Sequence, residues 1–170
     1  MVDGGAAALI IDITIHGNGW RGLSGLEHMT KRAIAAAGAR MTQPGEVSGE
    51  FPGEVPGEVC VVFADDAFQR DLNRRFRGRD APTNVLSFQS DPPLLGDIVL
   101  AHETVFGEAR AQGKLVADHI SHLLVHGMLH LMGYDHQSEE DRLRMESLEI
   151  AILQELGVSD PYLIAHEQRS

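Results

Sequence analysis

The chain opens on an alternation in which Leu9, Ile11, Ile13 and Ile15 are separated by Ile10, Asp12, Thr14 and His16. A period of two predicts a half-buried strand, and Gly17, Gly19 and Gly22 end it. From Leu23 to Ala39 the period becomes helical, with Leu26, Met29, Ala33 and Ala37 on one face and Gly38 near the end. Glu58 to Phe63 reads as a second strand. Asp65 or Asp66 can cap a helix to about Phe76, with Phe68, Leu72 and Phe76 predicted to face inward at i, i+4 and i+8. Thr83 to Phe88, after Pro82, and Gly96 to Leu100 read as a third and a fourth strand. A helix from about Glu103 to Gln112 follows, then a longer one from about Val116 to Met132 with Gly133 just past its end. Ser138 with Asp141 looks like the start of a last helix to about Leu156. Strands and helices that alternate this irregularly point to α/β or α+β with one small sheet.

Between 41 and 57 neither period holds. Gly-Glu pairs recur at 45, 49, 53 and 57, with Pro44, Pro52 and Pro56 between them. The prolines forbid a regular helix, and a four-residue period matches no solenoid, so the segment reads as an acidic surface loop. The remaining pattern fits one domain spanning the 170 residues. Hydrophobic residues at 43% support a real core, and aromatics at only 5% make it aliphatic. The net charge of −11 argues against a protein that binds nucleic acid through bulk charge, and leaves room for a local basic site. The single cysteine, Cys60, has no intrachain partner and reads as a core thiol. Neither a basic leader nor an apolar run of roughly 18 residues is present, so a cytoplasmic protein without a membrane segment is expected.

The chemistry concentrates in the histidines. Five of the nine fall between His119 and His136. On a helix, His126 and His130 lie one turn apart on the same face, so both imidazoles can reach one ion. Gly133 lets the chain turn off the helix, and His136 can swing back as a third ligand. Three histidines leave a fourth position for water, the layout of a catalytic zinc site with one ion per chain. Imidazoles suit nickel and other divalent ions as well. His122 lies on the same stripe, but His122 and His130 are about 12 Å apart along the axis, too far for one ion. It reads as a neighbour of the metal pocket or as packing. Asp135 is a candidate for orienting a ligand histidine or, like His122, for taking a proton. His102 and His119 read as surface histidines. The spacing also matches the H-E-x-x-H-x-x-G-x-x-H pattern of metzincin proteases, except that the glutamate serving as their general base is Gly127 here.

Arg70, Arg74, Arg75, Arg77 and Arg79 stand against Asp71 alone in positions 70 to 79, a local charge of +4. Arginine forks suit phosphate oxygens, so Arg70, Arg74 and Arg77 on one helical face are candidates for binding a nucleic-acid backbone.

The run His126 to His136, with His122-Leu123-Leu124-Val125 before it, resembles the signature of the YbeY family of bacterial endoribonucleases. Leu72-Asn73 with Phe76-Arg77-Gly78-Arg79-Asp80-Ala81-Pro82-Thr83-Asn84-Val85-Leu86-Ser87-Phe88 resembles its second signature, and Leu95 to Val99 the strand that follows. Phe76 stands where tyrosine is common, Asn84 where aspartate is common and Gln89 where proline often follows. The resemblance implies a compact α+β domain, a small mixed four-stranded sheet packed with about five helices. It implies a zinc-dependent, single-strand-specific endoribonuclease that matures rRNA, notably the 16S 3′ end, and serves ribosome quality control. Zinc would sit on His126, His130 and His136, and the family's functional arginine falls on Arg77. Single-stranded RNA and ribosomal particles or assembly factors would be the partners. Two other readings stand beside it: a ribosome-assembly factor that is not an enzyme and carries a metal, and a metallopeptidase-like hydrolase whose base comes from elsewhere.

Overall fold

The computed structural model describes residues 9–42, 57–91 and 93–163. Its elements run β1 (Ile10–Ile15), α1 (Leu26–Gly38), β2 (Glu58–Ala64), α2 (Asp66–Arg77), β3 (Val85–Gln89), β4 (Leu94–Ala101), α3 (His102–Gln112), α4 (Val116–Leu131) and α5 (Glu139–Glu155). A single 3₁₀ turn, Ala39–Thr42, follows α1. The four strands form one sheet in the order β1-β2-β4-β3. β1 and β2 are parallel, β2 and β4 are parallel, and β3 closes the sheet antiparallel to β4 as an edge strand. The fold is α+β, with a mixed four-stranded sheet and five helices among the described residues, as the sequence resemblance implies. The Gly-Glu repeat, read as an acidic surface loop, lies outside the described residues apart from its last pair, Gly57 and Glu58.

The main core fills one face of the sheet. Val59, Val61, Phe63, Ile98 and Leu100 from the strands meet Ile34 of α1, Leu124 and Met128 of α4, and Ile152 and Leu153 of α5. These side chains are fully or almost fully buried, each worth about 1.5–3 kcal/mol relative to exposure. α4 is the central helix, and Gly127 sets its distance from the sheet. A Cβ added there would lie 2.9 Å from Ile98 Cγ2 and 3.1 Å from Ser87 Oγ. The same fact bears on the protease pattern: a glutamate at 127 would be driven into β3 and β4.

The other face of the sheet carries a smaller cluster of Ala64, Leu86 and Val99, joined by Leu72 and Phe88. Here the structure corrects the amphipathic reading of α2. Phe68 is 38% exposed and Phe76 is 67% exposed, whereas the buried residues of the helix are Gln69 and Asn73. The physical reason lies in the loop after α2. Gln69 donates to Val99 O at 3.0 Å and accepts from Thr83 N at 2.8 Å, while Asn73 donates to Ala81 O at 2.7 Å. Backbone groups of 81–83 that leave water need such partners, so polar side chains take the inward positions. The reading of His119 as a surface residue is also corrected. It is 4% exposed and its Nε2 lies 2.8 Å from Glu108. His102 is half-buried against Trp20 and Phe106, and Cys60 is half-buried rather than part of the main core. Among the described residues no helix is long and apolar enough to cross a membrane.

Candidate metal centre and groove

α4 presents His126 and His130 on one side of its last two turns. Their Nε2 atoms face each other at 3.1 Å. Each ring is fixed from behind through the opposite nitrogen. His130 Nδ1–H donates to Tyr134 O at 3.0 Å, and His126 Nδ1–H donates to the carboxylate of Glu149 on α5. With Nδ1 carrying the proton, both Nε2 atoms turn bare lone pairs toward the same point. Two such lone pairs repel unless something cationic lies between them. Two nitrogens on a tetrahedral zinc at about 2.0–2.1 Å lie about 3.3 Å apart, close to the spacing seen.

The turn after α4 brings in the third ring. Gly133 adopts φ 96, and the bonds Gly133 N to His130 O and Tyr134 N to Leu129 O, both 3.0 Å, close the helix end. This left-handed cap costs a residue with a Cβ and is nearly free for glycine. Asp135 Oδ1 accepts from His136 N at 2.7 Å and holds the return. The ring of His136 then stands 5.1 Å from that of His130 and 6.1 Å from that of His126, while His126 and His130 are 4.6 Å apart, centre to centre. The three rings form one triangle. Ligand atoms all within 4.8 Å of one another are offered by His130, Asp135 and His136, and separately by His122, His126 and Glu149. The Nε2 atoms of His126 and His130, 3.1 Å apart, link the two groups. The donor set fits a borderline divalent ion of the zinc type. Burial, with the nearby His126 and His136, pulls the pKa of His130 down to about 4, so its ring is neutral at pH 7.

Glu149 escaped the sequence reading. It is 1% exposed and accepts from three donors: His126 Nδ1, His122 Nε2 at 3.2 Å and the Tyr162 hydroxyl. Burial pushes its carboxyl up, but the hydrogen bonds from His122 and His126 outweigh that and hold it at about 2. His122 is therefore a neighbour of the histidine cluster that reaches His126 through Glu149. A signal did exist in the sequence. Met145, Leu148, Ile152 and Leu153 form the buried stripe of α5, and Glu149 occupies a core position within it.

The three histidines open into a groove of about 970 Å³ whose lining includes Arg77, Arg79, Asn84, Ser87, Phe88 and Gln89. Arg77 ends α2 and donates through Nη2 to Ser87 O at 2.6 Å, with its guanidinium carbon 5.3 Å from the centre of the Phe88 ring. Gln89 Nε2 donates to His130 O at 2.9 Å, so the edge strand β3 joins the arginine side of the groove to the histidine side. Asn84 donates to Glu108 at 3.0 Å, where an aspartate would set carboxylate against carboxylate. Arg70 and Arg74 lie outside the lining, Arg70 paired with Asp80 at 2.9 Å and Arg74 with Asp71 at 2.6 Å. Arg79, which the sequence reading did not single out beyond the cluster, lines the groove.

Residues 24–157 match the family model described as Endoribonuclease YbeY. Curated proteins named Endoribonuclease YbeY align with most of the chain. One from Methylocella silvestris is 42% identical over 90% of this chain and 85% of its own length. One from Rhizobium etli is 45% identical over 92% of this chain and 94% of its own. A solution structure of the Thermotoga maritima protein TM1509 superposes with a TM-score of 0.53 at 25% identity, covering 89% of this chain and 98% of that one.

Proposed function

The chain belongs to the YbeY endoribonuclease family, and from that premise we propose that it is a zinc-dependent, single-strand-specific endoribonuclease acting on rRNA in the cytoplasm. The proposal extends to maturation of the 16S 3′ end and to ribosome quality control, with ribosomal particles or assembly factors as partners. The observation that carries it is the pair of Nε2 atoms of His126 and His130, 3.1 Å apart, opening into the same groove as Arg77.

His126, His130 and His136 would hold the metal. Zinc, when bound there, brings the pKa of a coordinated water to about 7 and polarises a phosphoryl oxygen. The protein's own groups supply the rest. Arg77 anchors one N–H on Ser87 O and keeps its other donors for phosphate oxygens, where they stabilise charge as it develops. Arg79 adds a second cation in the groove, and Arg70 and Arg74 would meet RNA beyond it. Gly127 offers no base, and its contacts with Ile98 and Ser87 leave no room for one, which opposes the peptidase reading.

Glu149 acts as a positioning residue by fixing the tautomer and orientation of His126. Glu149→Gln removes the charge and sets an amide against the His122 and Tyr162 donors. Zinc affinity, measured by competition with a chromophoric chelator, is expected to fall about 10–100-fold. Unchanged affinity would remove Glu149 from the site. The function itself is tested by offering the zinc-loaded protein labelled single-stranded RNA and the same strand annealed to its complement. Cleavage of the single strand alone is expected, and failure to cleave either RNA would overturn the proposal.

A further inference from the structure

We infer that Phe76, with Phe88 behind it, is a stacking site for a nucleobase of the RNA strand, a step that rests on the RNA reading above. Phe76 is the most exposed aromatic residue of the described fold at 67%, although it sits on the helical stripe that half-buries Leu72 one turn earlier. Its ring does not float free. It stands 5.7 Å from the ring of Phe88 at 64°, an edge-to-face pair that fixes it while leaving its surface open. Phe88, like Leu72, packs against the smaller core of Ala64, Leu86 and Val99, so the pair is the outer end of a packed apolar floor.

The neighbourhood selects the ligand. Phe88 and Arg77 both line the groove that holds His126 and His130, and Phe76 lies beside them at the end of α2. The guanidinium of Arg77 packs over Phe88 at 5.3 Å, and Arg79 lies two residues further along the chain. Flat apolar rings interleaved with phosphate-binding cations are what an unpaired strand needs, because every base offers a face and every linkage a charge. A base stacked on Phe76 leaves its backbone beside Arg77 and Arg79, on the side that leads to the three histidines. A duplex keeps its bases stacked on one another, so the site takes only single strands.

The test follows cleavage of labelled single-stranded RNA by zinc-loaded protein, from far below to far above half-saturation. Phe76→Ala is expected to raise the half-saturating RNA concentration about tenfold and to leave the maximal rate nearly unchanged. The loss should be the same at low and high salt, since a stack releases no counterions. Phe76→Tyr and Phe76→Trp should bind like wild type. RNA should quench the tryptophan introduced by Phe76→Trp, against a background of Trp20 that is 1% exposed. An RNA with abasic positions should bind wild type and Phe76→Ala alike. Wild-type cleavage with an unchanged half-saturation in Phe76→Ala, or a loss that persists with abasic RNA, overturns the stacking site. A wild type with no affinity for RNA overturns the RNA reading, and the stacking site with it.

Discussion

His130→Ala is expected to lose its zinc and its RNA cleavage together. His130 contributes one of the two Nε2 atoms that meet at 3.1 Å, and its ring is the nearest of the three to both others. Its pKa of about 4 means that no proton competes for the nitrogen at pH 7, so the wild-type ring binds metal without first giving one up. Alanine leaves His126 and His136 with ring centres 6.1 Å apart and only two ligands for a four-coordinate ion. Cleavage should fall on the order of a thousandfold or more, since the ionised water and the polarised phosphoryl oxygen vanish with the ion. Zinc content by elemental analysis after gel filtration should drop from one ion per chain toward zero. Helix α4 should survive, because alanine is the best helix former and the bonds that close the helix end are backbone bonds. A variant that keeps a full zinc ion would place the metal elsewhere.

Arg77→Ala should separate chemistry from metal binding. The side chain touches no histidine, so zinc content is expected to match wild type. Its remaining donors face the groove where a phosphate would lie, and loss of one such donor costs about a hundred- to a thousandfold in the rate of the chemical step. Arg77→Lys should not restore the rate. Lysine cannot hold Ser87 O with one donor and offer a planar fork with the others. Single-turnover cleavage at saturating RNA gives the comparison, and a rate within a few fold of wild type would confine Arg77 to holding the edge of β3.

The histidine triangle was legible in the sequence because helical geometry and one glycine determine it. A four-residue spacing on a helix and a left-handed residue at Gly133 suffice to bring three rings together. β1 was legible from its period of two, whereas β4 is buried on both faces and shows only as a short apolar run. What escaped depended on distant partners. Glu149 is 23 residues from His126 in an acidic helix, and only its place within an apolar stripe distinguishes it from the glutamates around it. His119 reads as an ordinary surface histidine until α3 brings Glu108 against it. α2 misled in the opposite direction. Its apolar spacing predicted a buried stripe, but the loop at 81–83 needed hydrogen-bond partners, so Gln69 and Asn73 face inward and Phe76 stays in water. In each case the deciding contact joins residues that no local period relates.

On the proposed function, the three histidines and Arg77 form one hydrolytic site for single-stranded RNA. The direct test is cleavage of a labelled single strand by zinc-loaded wild type, His130→Ala and Arg77→Ala, purified in parallel. Cleavage by wild type and its loss in both variants are expected, with zinc retained in wild type and Arg77→Ala and lost from His130→Ala. Equal cleavage by all three would assign the activity to a contaminating nuclease. An inactive wild type with zinc in place would contradict a hydrolytic site and favour an assembly factor whose metal is structural.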